Sequence, residues 1–195
     1  SSNNREISLL EALTHEIRTP LATIRTLIRS LLRKQDLPKV VETRLKQIDI
    51  ECTEQIDRFG LIFNAVELET KRSKKEGLAI TDLGKMLAIL SPVWSNQLER
   101  KGLKLDLDIT PDLPKVLSDP EGLELMLGGL IDRSTRGLKH GGVLTLKLRP
   151  AGQRLKLQII STTSKVNNLD TSPNADVGPV LSWNPVTGSL QLSQE

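Results

Sequence analysis

Two successive apolar stripes constrain this chain more than any other feature. Between residues 5 and 34, Ile7, Leu10, Leu13, Ile17, Leu21, Ile24, Ile28 and Leu31 recur at steps of three or four. That spacing places them along one side of a single long helix. Asp36, Leu37 and Pro38 break the pattern, with Asp36 as a cap or turn residue. A second stripe follows over 39–70: Val41, Leu45, Ile48, Cys52, Ile56, Phe59, Phe63 and Val66, with steps close to a heptad average. Two helices of similar length joined by a short turn form an antiparallel hairpin. Such a hairpin cannot bury both stripes alone. Pairing with a second copy would give a four-helix bundle and a homodimer. Packing on the rest of the same chain is the alternative.

The remainder alternates helices and strands. Residues 70–77, Thr-Lys-Arg-Ser-Lys-Lys-Glu-Gly, read as a solvated charged linker, so the hairpin is assigned to 1–72 and a second domain to 78–195. Residues 82–101 suit a helix, with Pro92 as a point of interruption. Leu103–Ile109 alternates strictly, as a half-buried strand does. Asp119-Pro120 opens another helix, with Asp at the N-cap and Pro in the first turn. Gly141-Gly142 and the alternating segments 143–149 and 155–161, joined by Ala151-Gly152-Gln153, describe a β-hairpin. The fold class is therefore α+β: a helical hairpin, then helices on a mostly antiparallel sheet. Residues 162–195, rich in Ser, Thr, Asn, Pro and Gly, read as a long loop or disordered tail.

Composition removes several functions. The 195 residues hold 27 Lys plus Arg and 24 Asp plus Glu, a net charge of +3. That is no electrostatic footprint for nucleic acid. Aromatic residues make up 2%, too few for base-stacking platforms. One cysteine excludes an internal disulfide framework, and two histidines, His15 and His140, give no His-rich metal site, so no metal centre is expected. No apolar run is long enough to span or enter a membrane, and no signal peptide is visible. The chain starts Ser-Ser-Asn-Asn without Met, as a fragment of a longer protein would.

The segment that carries chemistry is His15-Glu16-Ile17-Arg18-Thr19-Pro20-Leu21. His15 lies off the centre of the apolar stripe, on the wet flank. A neutral imidazole there is a nucleophile near neutral pH. The Glu16 carboxylate can take or stabilise the proton that the ring sheds. Thr19 stands three residues beyond Glu16, on its helical face, and its hydroxyl can orient a water near His15. Pro20 removes a backbone hydrogen bond just after this turn. The bland reading, a surface histidine with Thr19-Pro20 starting a new helix, competes with this one.

These residues closely resemble the H-box of two-component sensor histidine kinases. The helical hairpin resembles their dimerisation and histidine-phosphotransfer domain, and the part that follows resembles their ATP-binding domain in order and approximate size. The resemblance implies a phosphoacceptor at His15, taking a phosphoryl group from ATP and passing it to an aspartate on a response regulator receiver domain. It implies Glu16 as base or charge stabiliser, Glu16 and Thr19 as the pair used to dephosphorylate the regulator, and a cytoplasmic location.

The nucleotide motifs depart from that family. The stretch 127–134 matches its N-box, but Gly128, Gly129 and Arg133 stand where Asn is expected. Arg cannot coordinate a cation, although it can contact phosphate. Asp132, Arg133 and Arg136 are the remaining candidates for a nucleotide there, against a plain solvated face. Ser161-Thr162-Thr163-Ser164 replaces the expected Asp and spaced glycines, and Gly188 with 189–192 stands for the glycine-rich lid. ATP and Mg²⁺ are expected from the family and opposed by these residues. Three functions stay open: a kinase with an unusual site, an ATP-independent phosphotransfer protein, and a pseudokinase dimer serving as scaffold or phosphatase. Cys52 and Trp94 read as core and His140 as a turn residue.

Overall fold

A computed structural model describes residues 2–162 and 175–194. The chain forms two compact units, residues 1–70 and 71–195.

In the first unit, α1 (Ser2–Leu32) and α2 (Lys39–Lys74) follow the two stripes. The turn between them reverses at Asp36, whose φ of 68° is the left-handed conformation that Asp tolerates better than most residues. Leu45, Cys52, Ile56 and Leu61 of α2 are buried, so Cys52 acts as a small core residue. Other members of the stripes stay open: Ile24 is 43% exposed and Ile48 41%. Arg29 Nε donates to Asp49 Oδ1 at 2.7 Å, pinning the register of the helices near the turn.

The stretch read as a linker is helical as far as Lys74. Its composition explains this: Lys71, Arg72 and Lys74 occupy the last turn, where cations suit the negative end of the helix dipole. Lys75 then takes a φ of 55° and ends the helix.

The second unit continues with β1 (Ala79–Thr81), α3 (Leu83–Glu99), β2 (Lys104–Ile109), β3 (Val116–Ser118), α4 (Pro120–Thr135), β4 (Val143–Ala151), β5 (Arg154–Thr162), β6 (Ala175–Trp183) and β7 (Leu190–Gln194). Five strands form one sheet in the order β2-β4-β5-β6-β7. Only β2 and β4 pair in parallel; β4-β5, β5-β6 and β6-β7 are antiparallel. A separate antiparallel ribbon pairs β1 with β3. Leu144, Leu146 and Leu148 alternate inward on β4, as do Leu155, Leu157 and Ile159 on β5, and all are almost completely buried. Leu83, Leu87, Trp94 and Leu98 of α3, and Leu123, Met126, Leu127, Leu130 and Ile131 of α4, complete the core.

Pro92 does not interrupt α3. Proline withholds the N–H that the carbonyl four residues earlier would accept. Here that carbonyl, Ala88 O, accepts from Ser91 Oγ at 3.0 Å. Asp82 caps the same helix, accepting from Lys85 N at 3.1 Å. Asp119 takes the N-cap position of α4 without a side-chain cap; its Oδ2 instead accepts from Lys71 Nζ at 3.0 Å.

The expected tail is the clearest correction. Of residues 162–195, 175–183 and 190–194 are strands; the stretch 163–174 lies outside the described residues. Leu181 pairs opposite Leu157 and Trp183 opposite Leu155, so two side chains join the core that polar neighbours conceal in the sequence. The Asn, Pro, Thr and Gly between the strands build a turn: Asn184 Oδ1 accepts from Val186 N at 3.0 Å and Thr187 N at 3.2 Å. Gly188, at φ +73°, packs so closely on β3 that a Cβ would lie 2.1 Å from Leu117 O.

Candidate functional site

The H-box occupies the middle of α1, which runs through Pro20 without a break. His15, Glu16 and Thr19 are exposed, whereas Ile17 and Leu21 are half-buried. The apolar spacing therefore turns Ile17 and Leu21 toward the hairpin and leaves the imidazole in solvent. Thr19 Oγ1 donates to the His15 carbonyl at 2.9 Å. Its proton is thus committed to the helix backbone in this geometry, while its lone pairs remain as acceptors. Pro20 supplies no N–H to the Glu16 carbonyl, so a backbone acceptor opens beside the reactive turn.

Arg18 of the H-box lies across α2 at Gly60, where a Cβ would stand 3.8 to 4.0 Å from the guanidinium. Sequence reasoning passed over Gly60. A glycine inside a long helix was the available signal, because it costs helix stability; a methyl group at this position would meet the Arg18 guanidinium at ordinary van der Waals distance.

The remaining predicted residues are on α4, in the second unit. Asp132 is 64% exposed and pairs with Lys101 Nζ at 3.6 Å and Arg136 Nη2 at 3.8 Å. Arg133 is half-buried. Thr135, which the sequence did not single out, is buried and donates to Asp132 O at 2.9 Å. The structure thus groups Asp132 and Arg136 in one ion-pair cluster, with Lys101 of the α3–β2 turn as a third member. Ser161 and Thr162 end β5; Thr163 and Ser164 lie outside the described residues. Gly129 has open space around it: a Cβ added there would meet nothing within 4 Å. His140 sits in the turn before β4, its ring against Gly102, as expected of a turn residue. Among the described residues no cluster of three His, Cys, Asp or Glu side chains is arranged to hold a metal ion. Among the same residues no helix is long and apolar enough to cross a membrane.

Residues 6–71 match the His Kinase A (phospho-acceptor) domain. The whole chain is similar to the sensor histidine kinase Hik34 of Synechocystis sp. (strain ATCC 27184 / PCC 6803 / Kazusa), with 39% identity over 190 residues, covering 96% of this chain and 40% of Hik34. The chain carries the transmitter core of a sensor histidine kinase. Two further relatives agree. The sensor protein CreC of Escherichia coli K12 is 27% identical over 80% of the chain, and the adaptive-response sensory kinase SasA of Synechococcus sp. (strain JA-3-3Ab) is 28% identical over 88%. The chain spans less than half the length of each of these three relatives. In this transmitter core the phosphoacceptor domain is the first unit, and the match with Hik34 extends through the second.

Proposed function

We propose that this transmitter core exchanges phosphoryl groups through His15 with an aspartate of a response regulator receiver domain, working as a homodimer in the cytoplasm. One observation carries the reading: an exposed histidine, followed by Glu-Ile-Arg-Thr-Pro-Leu, within a segment that matches the phosphoacceptor family.

The chemistry follows from the residues. A ring nitrogen of neutral His15 attacks the phosphorus of an aspartyl phosphate. The N–P bond forms, the P–O bond to the aspartate breaks, and the carboxylate leaves with the electron pair. The proton on the other ring nitrogen passes to water or to the Glu16 carboxylate. In the opposite direction the regulator aspartate attacks phospho-His15. Thr19 serves dephosphorylation of the regulator by orienting a water, which donates to the lone pairs that its hydroxyl keeps while bonded to the His15 carbonyl.

A second copy completes the hairpin. Ile24, Leu31, Val41 and Ile48 belong to the two stripes and remain exposed, more apolar surface than a lone helical hairpin leaves to water without a partner.

The second unit supplies a poor set of donors for Mg-ATP. Gly129 and Arg133 offer no carboxamide for the metal, and Ser161 offers no carboxylate for the base. We therefore favour relay or phosphatase work over kinase work, and no step is routed through the nucleotide. The test is histidine phosphorylation of the dimeric chain with labelled Mg-ATP, and separately with a phosphorylated regulator, beside His15→Gln. Label from the regulator alone, absent in the variant, is expected. Label from ATP would restore the kinase reading. No label from either source would leave phosphatase or scaffold, which Thr19→Ala would separate by its effect on regulator dephosphorylation.

A further inference from the structure

Between α3 and α4, within the second unit, lies a cleft of about 540 Å³. That is the size range of small-molecule sites. Its two walls are helical faces. Trp94, Leu98 and Lys101 line it from α3 and the turn that follows, and Gly128, Asp132 and Thr135 from α4. Each set follows the spacing that puts residues on one helical side. Gly129 borders the cleft, but Arg133, at the other end of the N-box stretch, does not, so the cleft is turned away from that guanidinium.

Trp94 makes the cleft a candidate site. Its side chain is 5% exposed, and its indole nitrogen faces the gap left by Gly128, 4.0 Å from where a Cβ would be. No described residue accepts a hydrogen bond from it. The ring is buried, but its N–H keeps access to the solvent of the cleft, where an acceptor on a ligand can take the place of water.

The second feature is charge. Lys101 is already engaged by Asp132 at 3.6 Å and by Thr135 Oγ1 at 3.5 Å. Arg100 also lines the cleft, and no described acidic side chain pairs with its guanidinium. The site therefore offers an apolar floor of Trp94, Leu98 and Ile131, one inward donor and one uncommitted cation at the rim.

The third is Gly128 itself. Glycine inside a helix costs roughly 0.5–1 kcal/mol relative to alanine, yet α4 keeps two in succession. At Gly128 a longer side chain would fill the space in front of the indole.

We propose that this cleft binds a small aromatic monoanion, its ring system against the apolar floor, an acceptor on the Trp94 N–H and its negative group on Arg100. One cation favours one negative charge, which sets this ligand apart from a nucleotide polyphosphate.

The test uses the whole chain and two probes with the same ring system: anilinonaphthalene sulfonate, which carries the negative group, and N-phenylnaphthylamine, which lacks it. The protein has two tryptophans, Trp94 and Trp183, and so two indole N–H signals in a ¹⁵N–¹H spectrum. Trp94→Phe identifies which is which. The expected result is a saturable shift of the Trp94 signal with the sulfonate, and a still Trp183 signal, since Trp183 is buried in the sheet core. Gly128→Leu should weaken this binding at least about tenfold while keeping or raising the melting temperature. Arg100→Gln should weaken the sulfonate about fivefold and leave the neutral probe unchanged. Should Gly128→Leu fail to fold, the Trp94 shift and the Arg100→Gln pair decide the matter. A Trp94 signal that stays still while the dye binds elsewhere overturns the proposal. So does a neutral probe that binds as tightly as the sulfonate.

Discussion

The hairpin and the α/β unit solve the problem of burial in opposite ways. In the hairpin the most buried described side chains retain 6 to 9% of their surface, and Leu27 is 61% exposed. In the α/β unit Leu123, Met126, Leu144, Leu146, Leu148 and Leu181 are at 0%. The unit with the intact reactive motif has the incomplete core, and the unit with the altered nucleotide motif has the complete one. A core built from inward-facing leucines does not include the polar residues of the N-box stretch, so exchange of those residues leaves it filled. The hairpin, by contrast, carries His15 on an open face and leaves part of its apolar stripes in water, the surface that the proposed second copy would cover.

The largest effect that sharpens this contrast comes from the sheet core. Leu146→Ala removes a fully buried side chain on the central part of β4 and should cost about 2–5 kcal/mol. Both tryptophans lie in the α/β unit, whereas α1 and α2, of 31 and 36 residues, hold most of the helix. Tryptophan emission should therefore report the loss of the second unit at lower denaturant, with far-ultraviolet circular dichroism retaining the helical signal of the first. Coincident transitions by both probes would show that the two halves unfold as one.

Next in size is the hairpin's missing surface. Ile24→Glu and Ile48→Glu, together, place charges on the exposed stripe and should convert the dimer to monomer, with sedimentation velocity as the measurement. A dimer that survives both changes would put the contact elsewhere, and would remove the reason given for the open stripe.

The Gly188 turn comes third. Its φ of +73° and the 2.1 Å approach to Leu117 O leave no room for a methyl group. Gly188→Ala should destabilise the second unit by more than about 1 kcal/mol, read by chemical denaturation. Gly129→Ala should act with the opposite sign, stabilising by about 0.5–1 kcal/mol, because nothing lies within 4 Å of the new methyl. The two glycines look alike in the sequence; only their surroundings separate them.

That pair marks where sequence reading ends. The helices of the hairpin are legible because their apolar residues keep step over many turns, and β4 and β5 because Leu alternates with Thr, Lys and Gln. His15 is legible because the motif is contiguous. β6 and β7 are not, since Val177, Val180, Leu181 and Trp183 in the one and Leu190 and Leu192 in the other are too few and too irregularly set among Ser, Pro, Gly and Gln to show a sustained alternation, and β6 finds its partner in β5 across a long connection. β1 and β3, three residues each, are shorter than any period can reveal. The cleft at Trp94 depends on two helices meeting across a glycine, a relation that no single segment encodes. Thr19 shows a subtler limit: its position on the face is legible, but its bond to the His15 carbonyl is a matter of rotamer.

The smallest expected effect tests whether surface charge matters to the hairpin at all. Glu42 bonds to Lys46 at 2.5 Å, one turn on, and this bond, with the lysine's charge, holds the carboxyl below the ordinary glutamate range. A carboxyl lowered in the folded state contributes stability above its unfolded pKa and loses it as pH falls through the folded one. The contribution therefore exists at neutral pH and vanishes in acid. Because both side chains keep much of their surface in water, side-chain entropy and salt screening offset most of it. Glu42→Gln should leave the melting temperature unchanged at neutral pH within error, at both low and high salt. A clear loss at neutral pH that disappears in acid would mean that the first turn of α2 is held by this pair more than by the buried face at Leu45, and the burial argument for the hairpin would need that charge added to it.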